Sequence, residues 1–381
     1  MANDYVRQMP HQGSHSMARA PGAAMRLHVD VPLLILLLLL TGYGLFVLYS
    51  ASGQSMAAVV RQGRFFLVAY VAMFVAAQIS LQRYARWAPW LYLAGVGMLV
   101  AVMFAGVGAK GAQRWLQIGG FRFQPSEIMK LAVPMAVAWF LAERMLPPRF
   151  APVMGALTLL GIPALLILQQ PDLGTALLIA SSGLFALFMA GIGWRYILGA
   201  VVLGVASAWP AWMFVLKDYQ KQRILTMLNP ESDKLGAGWN IIQSKTAIGS
   251  GGWEGKGWMQ GTQSQLDFLP ESHTDFIIAV LAEEHGLRGV LVLVSLYLLI
   301  LLRGFLIGLR AQTSFGRMMA GSLTLTFFVY IFVNMGMVAG LLPVVGVPLP
   351  LVSAGGTSIV TLMAGFGILM AISTEQRMVA R

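Results

Sequence analysis

Cysteine is absent from the 381-residue chain. That removes thiolate metal sites, cysteine nucleophiles and disulfide-stapled outer loops together. Charge is also scarce. Asp, Glu, Lys and Arg make up 11% of the residues, less than half of the roughly 25% with which a soluble domain covers its surface. Acidic residues are the scarcer sign, 15 against 26 basic ones, for a formal net charge of +11. The 42 glycines follow no period, which excludes a collagen-like fibre. What fills the chain is apolar: 57% of residues are hydrophobic and the mean hydropathy is +0.73. Such content excludes intrinsic disorder and leaves a polytopic membrane protein.

Apolar runs long enough to cross about 30 Å of hydrocarbon occur ten times, near Val31–Tyr49, Phe65–Ser80, Trp87–Ala105, Ile128–Leu141, Pro152–Leu168, Thr175–Ile192, Tyr196–Val215, Asp275–Leu302, Met318–Leu342 and Ser353–Ile372. The runs are continuous rather than alternating with period two, so they predict helices and not a barrel. The expected fold is an all-α polytopic membrane protein, a bundle of about ten transmembrane helices with one long, partly structured extracytoplasmic loop. The organisation that follows is a disordered tail over residues 1–29, a membrane domain over 30–373 containing the outer loop 216–274, and a short tail over 374–381. The first run is followed by nine more and lacks a small-residue cleavage site, so it reads as a span and not a signal peptide. His11 and His15 in the first tail have no neighbours to complete a metal ligand set.

Arginines orient the bundle. Arg7, Arg19 and Arg26 precede the first span, Arg83 and Arg86 separate the second and third, and Arg144 and Arg149 follow the fourth. Arg195, the group Arg303, Arg310 and Arg317, and finally Arg377 and Arg381 fall on the same side if there are ten spans. The positive-inside rule makes that side, with both termini, cytoplasmic. Asp172 and the acidic residues from Asp218 to Glu284 lie on the other side, with Glu127 at its boundary. The excess basic charge thus meets anionic lipid, and no basic cluster with interleaved aromatics points to nucleic acid.

Two outer segments exceed the usual loop length, about Gly106 to Glu127 and the roughly 58 residues from Leu216 to His273. Trp239, Trp253, Trp258 and Phe268 in the second suit either the membrane interface or contact with a substrate. Its glycines, Gly249, Gly251, Gly252, Gly255, Gly257 and Gly261, lack the Lys-Ser/Thr ending of a nucleotide-binding loop and read as tight turns. Ionisable residues beside the spans are more informative, because each is costly to insert. Glu127 and Lys130 share a helix face behind Pro125, as an internal ion pair or as a polar patch lining a cavity. Asp172 reads as an N-cap, and Glu284 with Arg288 as an ordinary helix-surface pair. Asp275 stands where the long loop enters the eighth span, with His273 two residues away. Its position alone leaves a helix-dipole role and a general-base role both open.

The motifs Gly111-Ala-Gln-Arg-Trp115, Phe123-Gln-Pro-Ser-Glu127 with Lys130, Gln170-Pro-Asp-Leu-Gly-Thr175 and Asn229-Pro-Glu-Ser-Asp233 occur in that order. They are followed by the segments Gly236–Ser244, Gly261–Ser264, Pro270–Phe276 and Gly340–Ser353. In this order and spacing the chain resembles the SEDS family (shape, elongation, division and sporulation), and its elongation branch in particular. Ala354 departs from the pattern, where an aromatic is expected before Gly355-Gly356. The resemblance implies a peptidoglycan glycosyltransferase in the bacterial cytoplasmic membrane that polymerises the lipid-linked disaccharide-pentapeptide, lipid II, on the outer face during elongation. It further implies a class B penicillin-binding protein as transpeptidase partner, with other elongation-complex proteins. The family's essential aspartate falls on Asp275 and its polar pair on Glu127 and Lys130. Arg61, Arg114 and Arg223 fall near family motifs as substrate-binding cations at a cavity rim. A divalent cation, Mg²⁺ or Mn²⁺, is an expected cofactor with Asp275 as a possible ligand, and no nucleotide is expected. Two rival functions use the same features: a transporter that flips the precursor, and a scaffold that recruits the transpeptidase.

Overall fold

Each apolar run becomes a helix whose ends are set by caps and prolines rather than by hydropathy. The computed structural model describes residues 27–109, 112–118, 121–233, 236–265 and 271–375. The first-tail histidines, Phe268 and the last residues of the second tail lie outside them. Helix α1, Val31–Ala51, starts behind Asp30, whose carboxylate accepts from the Leu33 amide at 3.1 Å. The same carboxylate takes both arms of Arg303 at 3.0 and 2.6 Å, tying α1 to a later helix at the inner end. Helices α2, Met56–Ala77, and α3, Leu81–Ala105, follow, and a short segment then leads into α4, Pro125–Ala142. Pro125 occupies the first helical turn, as expected.

After α4 come α5, Phe150–Gln169, α6, Leu173–Met189, and α7, Trp194–Pro210, which ends in a π turn over Ala211–Val215. The outer loop holds α8, Asp218–Leu228, α9, Ala237–Gly251, and the single turn α10, Thr262–Gln265. The bundle closes with α11, Ile277–Arg310, α12, Ser314–Val338, and α13, Thr357–Ser373. Among the described residues, eight helices are long and apolar enough to cross a membrane, and α6 and α13 are apolar helices of 17 residues each. At about 1.5 Å per residue these two span roughly 25 Å, near the lower limit for crossing. The ten apolar helices match the ten predicted runs one for one.

Helix α4 is the axis of the bundle. It packs against α3, α5, α6 and α12, and 72% of its apolar window is buried. Helix α7 is the opposite case, with no buried residue. Leu198, Val202, Leu203 and Trp209 are exposed on it, a surface that suits lipid rather than water. Helices α2 and α13 pack closely, and Gly367 permits it: a Cβ there would meet the Met73 carbonyl oxygen at 2.2 Å.

Both long outer segments carry structure, the second partly structured as expected. The first carries strands β1, Val107–Ala109, β2, Ala112–Ile118, and β3, Phe121–Phe123, paired in order as an antiparallel meander. The second folds back on α11. Gly286 breaks that helix at φ +62°, and the segment around Gly252–Gly257 pairs with the break. The Leu287 amide donates to Gly252 at 2.9 Å, and the Lys256 and Gly257 amides donate to Glu283 and Glu284 at 2.9 and 3.0 Å. Buried Glu283 completes the clamp, accepting from Lys256 at 2.7 Å, Thr262 at 3.1 Å and the Gln263 amide at 3.1 and 3.2 Å. Gly252, Gly255 and Gly257 all have positive φ, in agreement with the tight-turn reading.

This break corrects the pairing of Glu284 with Arg288. Glu284 turns inward, is 2% exposed, and accepts from the Ser50 hydroxyl at 2.5 Å. Arg288 turns outward to Glu254 at 3.0 Å. The four-residue spacing brings partners together only on an unbroken helix. Gly286→Ala is expected to cost on the order of 2 kcal/mol or more, since its Cβ would lie 2.4 Å from the Gly255 amide nitrogen. Thermal unfolding in detergent checks this, with Gly42→Ala, whose Cβ meets nothing within 4 Å, as the unchanged control.

Candidate active site

Six parts of the chain converge at the outer end of the bundle: β2, the first turns of α4 and α6, the entry to α11, α12 at Tyr330, and the segment between α12 and α13. Between them lies a cavity of about 620 Å³, lined among others by Arg114, Glu127, Lys130, Asp172, Glu271 and Asp275. Its ionisable groups thus come from segments more than 100 residues apart in sequence.

Helix α4 supplies the paired charges. The Lys130 ammonium donates to Glu127 Oε1 at 2.7 Å and lies 5.3 Å from the Tyr330 ring centroid. Both residues are buried and both line the cavity, so the pair is at once internal and cavity-facing. Glu127 Oε2 is also buried and accepts no hydrogen bond from the described residues. An oxygen so enclosed keeps an unused capacity to accept a hydrogen bond.

Asp172 caps α6, accepting from the Thr175 amide at 3.2 Å as expected, and also faces Arg114 at 3.5 Å. Arg114 donates further to the carbonyls of Gln170 and Pro171, which fixes the meander over the cavity mouth. Gln124 completes this corner at 3.5 Å from Asp172.

Asp275 sits one residue outside the α11 cap, Phe276, in a turn held by its main chain. The Asn334 amide group donates to the Asp275 carbonyl at 2.9 Å and to the Val347 carbonyl at 2.8 Å. The Ser353 hydroxyl donates to the Thr274 carbonyl at 2.5 Å, and the Ala354 amide to the His273 carbonyl at 2.9 Å. Gln62 of α2 holds the other flank, donating to the Ser353 carbonyl at 3.3 Å and accepting from the Gly355 amide at 3.2 Å. The aspartate is therefore mounted on a rigid loop–helix frame. Gly346, at φ +72°, turns the chain beside the carboxylate, in a backbone conformation that favours glycine.

The sequence-predicted residues divide. Asp275, Glu127, Lys130 and Arg114 share the cavity. Arg61 lines an adjoining cavity of about 390 Å³ with His273 and Thr274. Arg223 does not line the cavity of Asp275; it lies on α8 with its guanidinium 5.8 Å from the Tyr219 ring. Trp253 and Trp258 are not in the cavity lining either, and Trp258 stacks on Phe46 of α1 at 5.1 Å. Trp115, Glu271 and Tyr330 are lining residues that sequence reasoning did not single out. Trp115 ends a quoted motif; Tyr330 stands mid-span with no local signal. Among the described residues no three His, Asp or Glu side chains converge as a metal site.

The comparisons agree with this architecture. The chain is 54% identical over 356 residues to the peptidoglycan glycosyltransferase MrdB of Escherichia coli, covering 93% of this chain and 96% of that protein. It is 39% identical over 363 residues to a probable peptidoglycan glycosyltransferase FtsW of Geobacter metallireducens, covering 91% and 95%. A chain from a solved peptidoglycan synthase complex, described for its coordination of polymerization and crosslinking, superposes with a TM-score of 0.80 at 29% identity, over 90% of this chain and 97% of that one. The rod shape-determining protein RodA of Thermus thermophilus superposes with a TM-score of 0.68 at 26% identity, over 90% and 96%. The model of the cell cycle protein family matches residues 31–378. The chain belongs to the FtsW/RodA/SpoVE family, the SEDS family that its motifs resemble.

Proposed function

We propose that this peptidoglycan glycosyltransferase joins two polyprenyl-diphosphate-linked saccharides with Asp275 as general base. The observation that carries the reading is the placement of Asp275, on a turn fixed by Asn334 and Ser353, in one cavity with the Glu127–Lys130 pair. A sugar hydroxyl is a poor nucleophile, and a positioned carboxylate removes its proton as the new bond forms. The Asp275 carboxylate takes the proton of the GlcNAc 4-hydroxyl of one precursor. The freed oxygen bonds to the anomeric carbon of the MurNAc on the other lipid-linked chain. The bond from that carbon to the diphosphate oxygen breaks, and polyprenyl diphosphate leaves with the electron pair, inverting the centre from α to β. Glu127 Oε2, buried without a protein donor, suits a sugar hydroxyl or acetamido N–H. Cations near the site balance the charge growing on the diphosphate. A divalent cation held by Asp275 would draw its remaining ligands from water and diphosphate oxygens.

A membrane bundle suits such a reaction because both reactants carry hydrocarbon tails. In this reading both termini are cytoplasmic and the cavity opens on the outer face of the cytoplasmic membrane, which the arginine asymmetry supports. A class B penicillin-binding protein is the partner in this reading, supported by the likeness to the chain of a peptidoglycan synthase complex. The test is the purified protein with that partner, given labelled lipid II in detergent. Wild type is expected to yield glycan polymer and Asp275→Ala none. Equal yields from both would remove Asp275 from the mechanism.

A further inference from the structure

Helix α12 carries a line of polar side chains at four-residue spacing, Ser322, Thr326, Tyr330 and Asn334, on one face of an apolar span. The two ends of the line are bonded within the protein. Asn334 holds the Asp275 turn, and the Ser322 hydroxyl donates to the Ser182 carbonyl of α6 at 2.7 Å. The middle two differ. Thr326 Oγ1 and the Tyr330 hydroxyl are buried and make no hydrogen bond of normal geometry, although the Lys130 ammonium lies beside Tyr330.

Thr326 is the more telling of the two. A threonine within a helix can turn its hydroxyl onto the carbonyl four residues back. Thr41, Thr158, Thr324 and Thr361 all do so, at 2.9, 3.0, 2.8 and 3.1 Å. Thr326 does not take that local bond, and a buried hydroxyl left unmatched is costly.

Thr326 and Tyr330 line a narrow cavity of about 30 Å³ between α4, α12 and α13, with Lys130 and Thr361 as its other polar members. Lys130 and Tyr330 also line the chamber of Asp275, so the cavity continues the chamber floor into the bundle. Such a volume is too small for a sugar or a hydrocarbon tail, but one water needs only about 10–15 Å³. Water also needs two to four polar partners, whereas cavities that stay dry are apolar throughout. The four polar side chains meet that need. Lys130 in particular has three N–H donors, and one of them goes to Glu127 at 2.7 Å.

We propose that this cavity is a hydration site, in which water bound by Thr326 and Tyr330 accepts a hydrogen bond from the Lys130 ammonium and fixes it at the chamber floor. Thr326 touches no substrate in this arrangement and acts as a positioning residue through the water. The water site stands on the geometry alone, and its effect on the reaction rests on the reading above that the chamber is the active site.

Radiolytic labelling reads the water directly. Full-length protein in detergent is exposed to a short X-ray pulse, and hydroxyl radicals formed from bound water mark adjacent side chains for mass spectrometry. Phe366, 4% exposed, lines this cavity and not the chamber, whereas Tyr297, 1% exposed, lines neither. In wild type Phe366 is expected to be labelled several-fold faster than Tyr297. Thr326→Val keeps the side-chain shape without the hydroxyl, and is expected to lower that labelling and to slow polymerisation about tenfold, equivalent to about 1.4 kcal/mol. Thr326→Ser is expected to recover most of both. Gly365→Ala narrows the cavity without touching a hydroxyl, its Cβ lying 3.4 Å from Leu131 and 3.5 Å from Leu323, and is expected to lower the labelling as well. Labelling of Phe366 no faster than of Tyr297 would overturn the water site, and wild-type polymerisation by Thr326→Val would overturn the positioning role. A wild-type protein that labels Phe366 yet makes no polymer contradicts the enzymatic reading alone.

Discussion

Asp275→Asn is expected to reduce glycan polymerisation by about 10²–10⁴-fold, the range over which a positioned general base acts. The substitution keeps the shape of the side chain and removes its negative charge, and with it the capacity to take a proton. The turn is expected to survive, because its place is set by hydrogen bonds to the carbonyls of residues 273–275 from the Ala354 amide and the Asn334 and Ser353 side chains. Nor does the aspartate cap α11, which begins at Ile277 behind Phe276. Loss of polymer with an unchanged thermal midpoint would therefore identify chemistry, whereas parallel loss of both would return Asp275 to a structural role. The rate is measured on labelled lipid II, and folding by thermal unfolding of the same preparation.

The second large effect concerns the buried pair on α4. Lys130→Met strands the Glu127 carboxylate inside the bundle, and removing one partner of a buried pair costs about 3–5 kcal/mol. The double variant Glu127→Leu with Lys130→Met replaces the pair by apolar side chains of similar size. Such exchanges are often neutral in stability, so the double variant is expected to unfold near the wild-type temperature. It is expected to remain inactive, because Glu127 and Lys130 both line the cavity. Recovery of stability together with activity would show that the pair serves insertion and packing alone. Thermal unfolding and polymerisation of the three proteins decide the matter.

These two residues also show what the sequence made legible. The spans were readable because a hydrocarbon solvent imposes one rule, length and apolarity, on every crossing segment. The paired charges were readable because Glu127 and Lys130 lie three apart on one helix. Asp172 was readable as a cap for the same local reason, and the structure agrees at 3.2 Å to the Thr175 amide. Where a local rule met a hidden break, it failed: Glu284 and Arg288 have the spacing of a pair, but Gly286 between them leaves the helix. The meander was hidden by the shortness of its flanking strands, three residues each, which carry little alternation.

The support of Asp275 was not legible at all. Asn334 reaches it across 59 residues, and Ser353 reaches Thr274 across 79. Gln62 and Ser353 meet across 291. A polar side chain within an apolar run signals that some partner exists, but the partner's identity is a property of the folded bundle.

The central claim is that the cavity performs glycosyl transfer on the outer face, and one reconstitution tests it against the transport alternative. The purified protein, with its transpeptidase partner, is placed in vesicles carrying labelled lipid II in both leaflets. Translocation of the label and chain length of the product are read from the same sample. The account predicts glycan polymer from wild type, none from Asp275→Asn, and no translocation above empty vesicles from either. Translocation by wild type with no polymer would contradict it.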